Sequence, residues 1–177
     1  EVMRQTPGIE PDAATCNPLL SALWSGARVD QALGVFKLSL LSNTYPSLGS
    51  AASIEPRVDL HELSGGAAVI ATLVRLRAWE RSLRDGVHPS SSAGIFVIIT
   101  GWGKGSRVRG VSEVKDAVAG LLESMDSPFK PEPGNAGRLT ASASEVHAWM
   151  TQSDGSVLQS AADSRVALAQ VHVDALL

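Results

Sequence analysis

Two short strings hold the residues best suited to do chemistry. The first is Val58-Asp59-Leu60-His61-Glu62-Leu63. In an extended segment Asp59 and His61 share one face, while Val58 and Leu60 take the other. A carboxylate and an imidazole leaving a strand end together can move a proton at a phosphodiester. They can also hold a divalent ion, with Mg²⁺ the expected one, against a phosphate. The same spacing suits a capping aspartate beside a structural histidine, and Asp-x-His alone does not separate these readings. The second string is Thr100-Gly101-Trp102-Gly103-Lys104-Gly105-Ser106, followed by Arg107, Arg109 and Gly110. Glycines let backbone N–H groups approach a phosphate, and a helix N-terminus favours negative charge. Lys104, Arg107 and Arg109 add cations, and Trp102 offers an indole on which a base could stack. The spacing is neither that of a P-loop nor that of the dinucleotide fingerprint. A flexible connection with solvated charges is the alternative.

The surrounding pattern shows which elements must carry these strings. Residues 57–61 alternate and read as a strand. Residues 67–84 read as a helix with Ile70, Leu73, Val74 and Leu76 on its apolar side. Residues 95–100 form a buried strand, and 101–110 the glycine-rich loop. Ser112 caps a second helix reaching residue 125. Short strands at 129–132 and 138–141 flank a Pro-Gly-Asn turn, and 144–150 is a short helix. The order strand–helix–strand–helix–strand–strand predicts an α/β unit, a small sheet covered by helices. Arg77, Arg81 and Arg84 form one helical stripe, expected as a solvated face in which Glu80 pairs with Arg84.

The whole chain has 177 residues, 44% of them hydrophobic and 19% charged, which excludes wholesale disorder. Its single cysteine, Cys16, excludes a disulfide framework and a multi-cysteine zinc site. A net charge of −3 excludes a bulk polyanion binder but not a local basic patch. No apolar run approaches the roughly 20 residues of a transmembrane helix, so no membrane partner is expected. Residues 56–150 carry 11 basic and 10 acidic side chains, and the flanking parts are net acidic.

The first part has a repeat register. Pro11 and Pro46 lie 35 residues apart, separated by amphipathic helices at 15–23 and 30–41, with a break at Gly26. A period of this length with two helices signals a helical solenoid. The string Ala14-Thr15-Cys16-Asn17-Pro18-Leu19-Leu20, then Gly26-Ala27-Arg28-Val29-Asp30-Gln31-Ala32-Leu33, Phe36 and Pro46, resembles the pentatricopeptide repeat. Cys16 stands where that repeat usually has tyrosine. One such repeat buries no solenoid face alone, so the chain is expected to be the C-terminal fragment of a longer array.

The two chemical strings together, with Gly66-Ala67-Ala68 and Gly137-Arg138, resemble the Smr (small MutS-related) domain over residues 56–150. Thr-Gly-Trp-Gly-Lys after a preceding repeat resembles the plant and green-algal PPR–Smr proteins of chloroplasts and mitochondria. This resemblance implies single-stranded RNA as the partner, without excluding DNA, and RNA processing or stability as the role. It implies endonucleolytic cleavage in some members, with a non-catalytic RNA clamp or a protein-interaction module as alternatives. Asp59 and His61 match the first motif, as the proposed catalytic pair. Gly101 and Gly103 match the second, with Lys104 beside them to hold the phosphate. Asn17 and Ser47 occupy the two base-reading positions of the repeat, a pair that suggests a pyrimidine. The pattern departs from the family at Val58 for leucine, at Glu62 where many members have glycine, and at Gly105 where many have histidine. The resulting division is 1–47 for the end of the repeat array, 48–55 for a linker, 56–150 for the α/β domain, and 151–177 for a tail of weak helix or disorder.

Overall fold

The computed structural model describes residues 11–87, 94–103 and 112–152. Lys104, Arg107 and Arg109, together with His88, His172 and residues 153–177 of the expected tail, lie outside the described residues; residues 151 and 152 belong to the last helix. Two helices open the chain, α1 (Ala13–Ser25) and α2 (Val29–Leu41), followed by a 3-10 turn at Pro46–Leu48. There follow β1 (Arg57–Asp59), α3 (Gly65–Arg84), β2 (Ile95–Ile99), α4 (Glu113–Ser124), β3 (Lys130–Glu132), β4 (Asn135–Ser142) and α5 (Ala143–Gln152).

Local chemistry sets these boundaries. Asp12 caps α1 by accepting from the Thr15 amide at 2.8 Å. Gly26 closes it, and Ala27 makes the turn in the left-handed region. Asp30 sits in the first turn of α2, where the helix dipole favours an acid. The β-branched run of β2 is flanked by chain that leaves the sheet at Gly94 and Thr100.

The four strands lie in the order β1-β2-β4-β3. β1 and β2 are parallel and joined through α3, whereas β4 runs antiparallel to both β2 and β3. Val58, Ile98 and Leu139 stand opposite one another across three strands. With Phe96 and Ala141 they form the buried face of the sheet. Trp79 of α3 lies on that face, edge-on to Phe96 at 4.6 Å between centroids and stacked with Phe129 at 6.2 Å.

Helix α3 differs from its expected one-sided pattern. Residues 67–80 are buried on every side, because α1 and α2 cover the flank that the sheet and α4 leave open. The expected solvated arginine stripe holds at Arg81 and Arg84, both exposed, and is corrected at Arg77. Arg77 and Glu80 are both buried and joined at 2.6 Å, and Glu80 reaches Arg84 at 3.5 Å as expected. Charge pattern alone placed Arg77 in water. Its partner one turn away lets it be buried.

Residues 48–55, read as a linker, are tied to the same helix. Arg75 donates to the Leu48 carbonyl at 2.8 Å and to the Ser53 carbonyl. Trp79 Nε1 donates to the Glu55 carbonyl at 2.9 Å. Hairpin and sheet unit therefore share one core, from Leu20 and Phe36 through Leu73 to Ile98 and Leu122. The contact is close. A Cβ at Gly66 would stand 2.6 Å from the Ser21 Cα. Gly66→Ala is expected to cost about 1–3 kcal/mol, since α1 must move off α3. Chemical denaturation of the variant checks this.

Two strand boundaries also differ from the sequence reading. β1 ends at Asp59 and not at residue 61, because the Asp59 side chain turns the chain. β4 begins at Asn135 and not at residue 138, because Asn135 already pairs with Glu132 across a Pro133-Gly134 turn, with Gly134 at φ +79°.

Candidate functional site

The first chemical string forms a turn at the end of β1. Leu60 still donates to the Ile99 carbonyl at 2.8 Å, and Leu63 then donates back to Leu60 at 3.0 Å. Asp59 Oδ1 accepts from the His61 backbone N–H at 3.2 Å and meets His61 Nδ1 at 2.6 Å. An aspartate bonding the amide two residues on is a local Asx turn. The pair is thus joined by a turn, and not by projecting from one strand face as expected. Val58 and Leu60 are buried, as the alternation predicted.

The contact fixes the chemistry of the imidazole. With its Nδ1 proton assigned to Asp59, His61 presents Nε2 as the acceptor. The His61 side chain is 50% exposed, with Nε2 3.7 Å from Glu62 Oε1. The Asp59 hydrogen bond holds the His61 pKa above the ordinary histidine value. Partial burial opposes this, and the Asp59 and Glu62 charges support it.

The second string lies directly on this turn. A Cβ at Gly101 would stand 3.4 Å from the His61 Cβ, and Gly101 and Gly103 have φ of +70° and +78°. Gly137 of β4 is the platform beneath. Its carbonyl accepts from the Thr100 amide at 2.9 Å, the Gly101 amide at 3.2 Å and the Thr100 hydroxyl at 3.3 Å. A Cβ at Gly137 would come within 3.0 Å of the Gly101 carbonyl carbon. Sequence reasoning noted Gly137 without giving it a role; a glycine inside a strand is the signal for such a close approach. One expectation is corrected here. The Gly101 amide, expected to face a phosphate, donates to the Gly137 carbonyl.

Ser112 joins the loop to α4. Its hydroxyl accepts from the Lys115 amide at 3.2 Å and donates to the Thr100 carbonyl at 3.4 Å. Ser112→Ala is expected to cost about 1 kcal/mol and to loosen the loop together with α4. A thermal melt and amide exchange at Lys115 check this. His61 and Ser64, Gly101–Gly103 and the first turn of α4 enclose a cleft of about 540 Å³. Trp102, at its rim, is 46% exposed.

The acids near the cleft are Asp59, Glu62 and Glu113. Among the described residues no group of three or more His, Cys, Asp or Glu side chains could hold a metal ion, and Asp59 Oδ1 is engaged by His61. Mg²⁺ takes one or two carboxylates and completes its shell with water and substrate phosphate. Asp59, Glu62 and Glu113 are the carboxylates that could serve it here, with Asp59 Oδ1 already shared with His61.

The two expected base-reading residues fare differently. Ser47 is exposed in the 3-10 turn. Asn17 is engaged within the chain. Its Nδ2 donates to the Glu62 carbonyl at 2.9 Å, and its Oδ1 accepts from the Tyr45 hydroxyl at 3.0 Å and the Ser64 amide at 3.1 Å.

The relatives of this chain are plant pentatricopeptide repeat-containing proteins. One from Arabidopsis thaliana is 36% identical over 134 residues, covering 74% of this chain and 15% of the relative. A second from the same plant is 37% identical over 127 residues, covering 70% of this chain and 14% of the relative. A third, also from Arabidopsis, is 29% identical over 141 residues, covering 78% of this chain and 27% of the relative. The chain thus spans only a small part of each relative's length. A match of 134 residues within 177 must cross the middle of the chain. It therefore takes in the Asp59–His61 turn and Gly101–Gly103. No family model matches the chain, and no solved structure matches it.

Proposed function

We propose that this chain is part of an organellar RNA-binding protein of the PPR–Smr kind, in which the cleft beside His61 receives an RNA phosphodiester. The observation that carries the proposal is the Asp59–His61 pair set against the Gly101 loop. Such a pair is suited to proton transfer at a phosphodiester, and the loop gives a backbone approach for the phosphate. The names of the relatives favour a repeat-containing plant protein, and RNA is the polymer that suits a stacking indole, a glycine loop and adjacent cations. Chloroplast or mitochondrion is the proposed compartment.

The proposed reaction is endonucleolytic. His61 Nε2 removes the proton from the attacking hydroxyl, either water or the RNA 2′-OH, as its oxygen bonds phosphorus; the phosphorus–oxygen bond to the leaving group breaks, and that oxygen takes a proton from water. Asp59 holds the imidazole and stabilises the charge it gains. A second reading, a clamp that binds RNA without cutting it, is favoured by one observation. Among the described residues His61 is the one imidazole lining the cleft, and the loop position that many Smr members fill with histidine is Gly105.

The test is to incubate the chain with labelled single-stranded RNA, with and without Mg²⁺, and with DNA of the same sequence. An Asp59→Ala/His61→Ala variant runs alongside. Cleavage by the native chain alone supports the nuclease reading, and salt-sensitive binding without product supports the clamp. Neither binding nor product leaves protein interaction as the reading to pursue.

A further inference from the structure

Asn17 lies 42 positions before Asp59 in sequence, yet it is bonded to the turn that follows His61. Its Nδ2 donates to the Glu62 carbonyl and its Oδ1 accepts from the Ser64 amide, so one side chain brackets Leu63 from both sides. The Ser64 hydroxyl returns the contact by donating to the Asn17 carbonyl at 2.9 Å. One helical turn on, the Ser21 hydroxyl donates to Ser64 Oγ at 2.9 Å and accepts from the Gly66 amide at 3.3 Å. On the hairpin side the buried Tyr45 hydroxyl donates to Asn17 Oδ1 at 3.0 Å.

We propose that Asn17 is a positioning residue for His61 and not a base reader, so that the α1–α2 hairpin serves as a brace that holds the site. This rests on the functional reading of His61 given above. The physical reason is the donor and acceptor count. A primary amide has two N–H donors and one oxygen with two acceptor sites. Both acceptor sites of Asn17 and one donor are directed to Tyr45, Ser64 and Glu62. Reading a base edge through Oδ1, or by turning the amide, would break bonds that set the turn. The Asp59–His61 contact spans the opposite end of the same turn. Loosening the Glu62–Ser64 end lets that contact open. RNA sequence read by an array ending in such a hairpin would stop before this repeat, and its distance to the cleft would be rigid.

The test follows His61 by NMR through a pH titration of the intact chain, with no RNA present. The groups facing the imidazole are Asp59 and Glu62 on its own turn and Glu113 across the cleft. In Asn17→Ala the His61 midpoint is expected to move down towards the ordinary histidine value, and the Ser64 amide to exchange faster. In Tyr45→Phe the hairpin loses one hydrogen bond and the turn keeps its own, so the midpoint is expected to stay. If Asn17→Ala does not fold, Ser64→Ala removes only the hydroxyl contacts and is expected to shift the midpoint in the same direction. A folded Asn17→Ala with an unchanged midpoint and unchanged Ser64 exchange overturns the proposal. These readouts do not depend on cleavage, so a failure of the nuclease reading leaves them intact.

Discussion

Replacing His61 by alanine is expected, on the proposed nuclease reading, to slow RNA cleavage by about 10²–10⁴-fold, the usual contribution of a positioned acid or base, while RNA affinity changes little. Nε2 is the nitrogen left to the cleft once Nδ1 is held by Asp59, so its loss removes the proton acceptor and no large contact area. The pH profile supplies a second signature. A general base works deprotonated, so the rate rises as pH passes the His61 pKa. The Asp59 contact raises that pKa, which places the rise at higher pH than for an ordinary histidine. Asp59→Ala is expected to shift the rise to lower pH and to lower the plateau, because the ring is no longer oriented. Initial rates on a labelled oligonucleotide, measured across the pH range for all three proteins, check this. A His61→Ala chain that cleaves as fast as the native one rules out the proposed role.

Removing the hairpin is expected to have the largest effect on stability. A fragment of residues 56–150 keeps every strand and the whole of α3, yet it is expected to lose cooperative thermal unfolding. Val69 borders the same groove as Trp24 of α1, and Ala71 and Val74 border Phe36 of α2. Uncovering each valine forfeits about 1.5–3 kcal/mol. Arg75 loses its Leu48 and Ser53 acceptors, at about 1–3 kcal/mol for a polar group left without partners. Asn17 and Ser21 also leave the turn after His61. Together these approach the whole stability of an ordinary domain, about 5–15 kcal/mol. Circular dichroism melts of the fragment and the full chain decide the matter. A sharp transition in the fragment close to that of the full chain would mean that the two parts fold independently.

The order of strands and helices was legible because its signals are local. Val58 and Leu60 alternate around Asp59, the run Ile95–Ile99 is β-branched and apolar, and Ser112 precedes an amphipathic stretch. The pairing of Asp59 with His61 was legible as proximity, but its geometry was not. Spacing cannot distinguish a continuing strand from an Asx turn when the aspartate itself bends the chain. Long-range roles were hidden for the same kind of reason. Arg77 was read as solvated, and its burial rests on its contact with Glu80 under the packed hairpin; Arg75 is held by the carbonyls of residues 48 and 53, which nothing near it in the chain announces. Asn17 matched a repeat position, and nothing near it in the chain announces Glu62 and Ser64 as its partners.

The two borders of the sheet bear on how any other molecule can meet it. β1 has only three residues and follows Pro56, while β3 is equally short, holds Pro131 and is interrupted by a bulge between Pro131 and Glu132. Proline lacks the amide that a neighbouring strand would need, and a bulge breaks the even ladder that a flat edge offers. The sheet is thereby closed to β-augmentation, whether by an extended peptide or by another copy of itself. Recognition is left to side chains and loop backbone, and the protein is guarded against edge-to-edge aggregation.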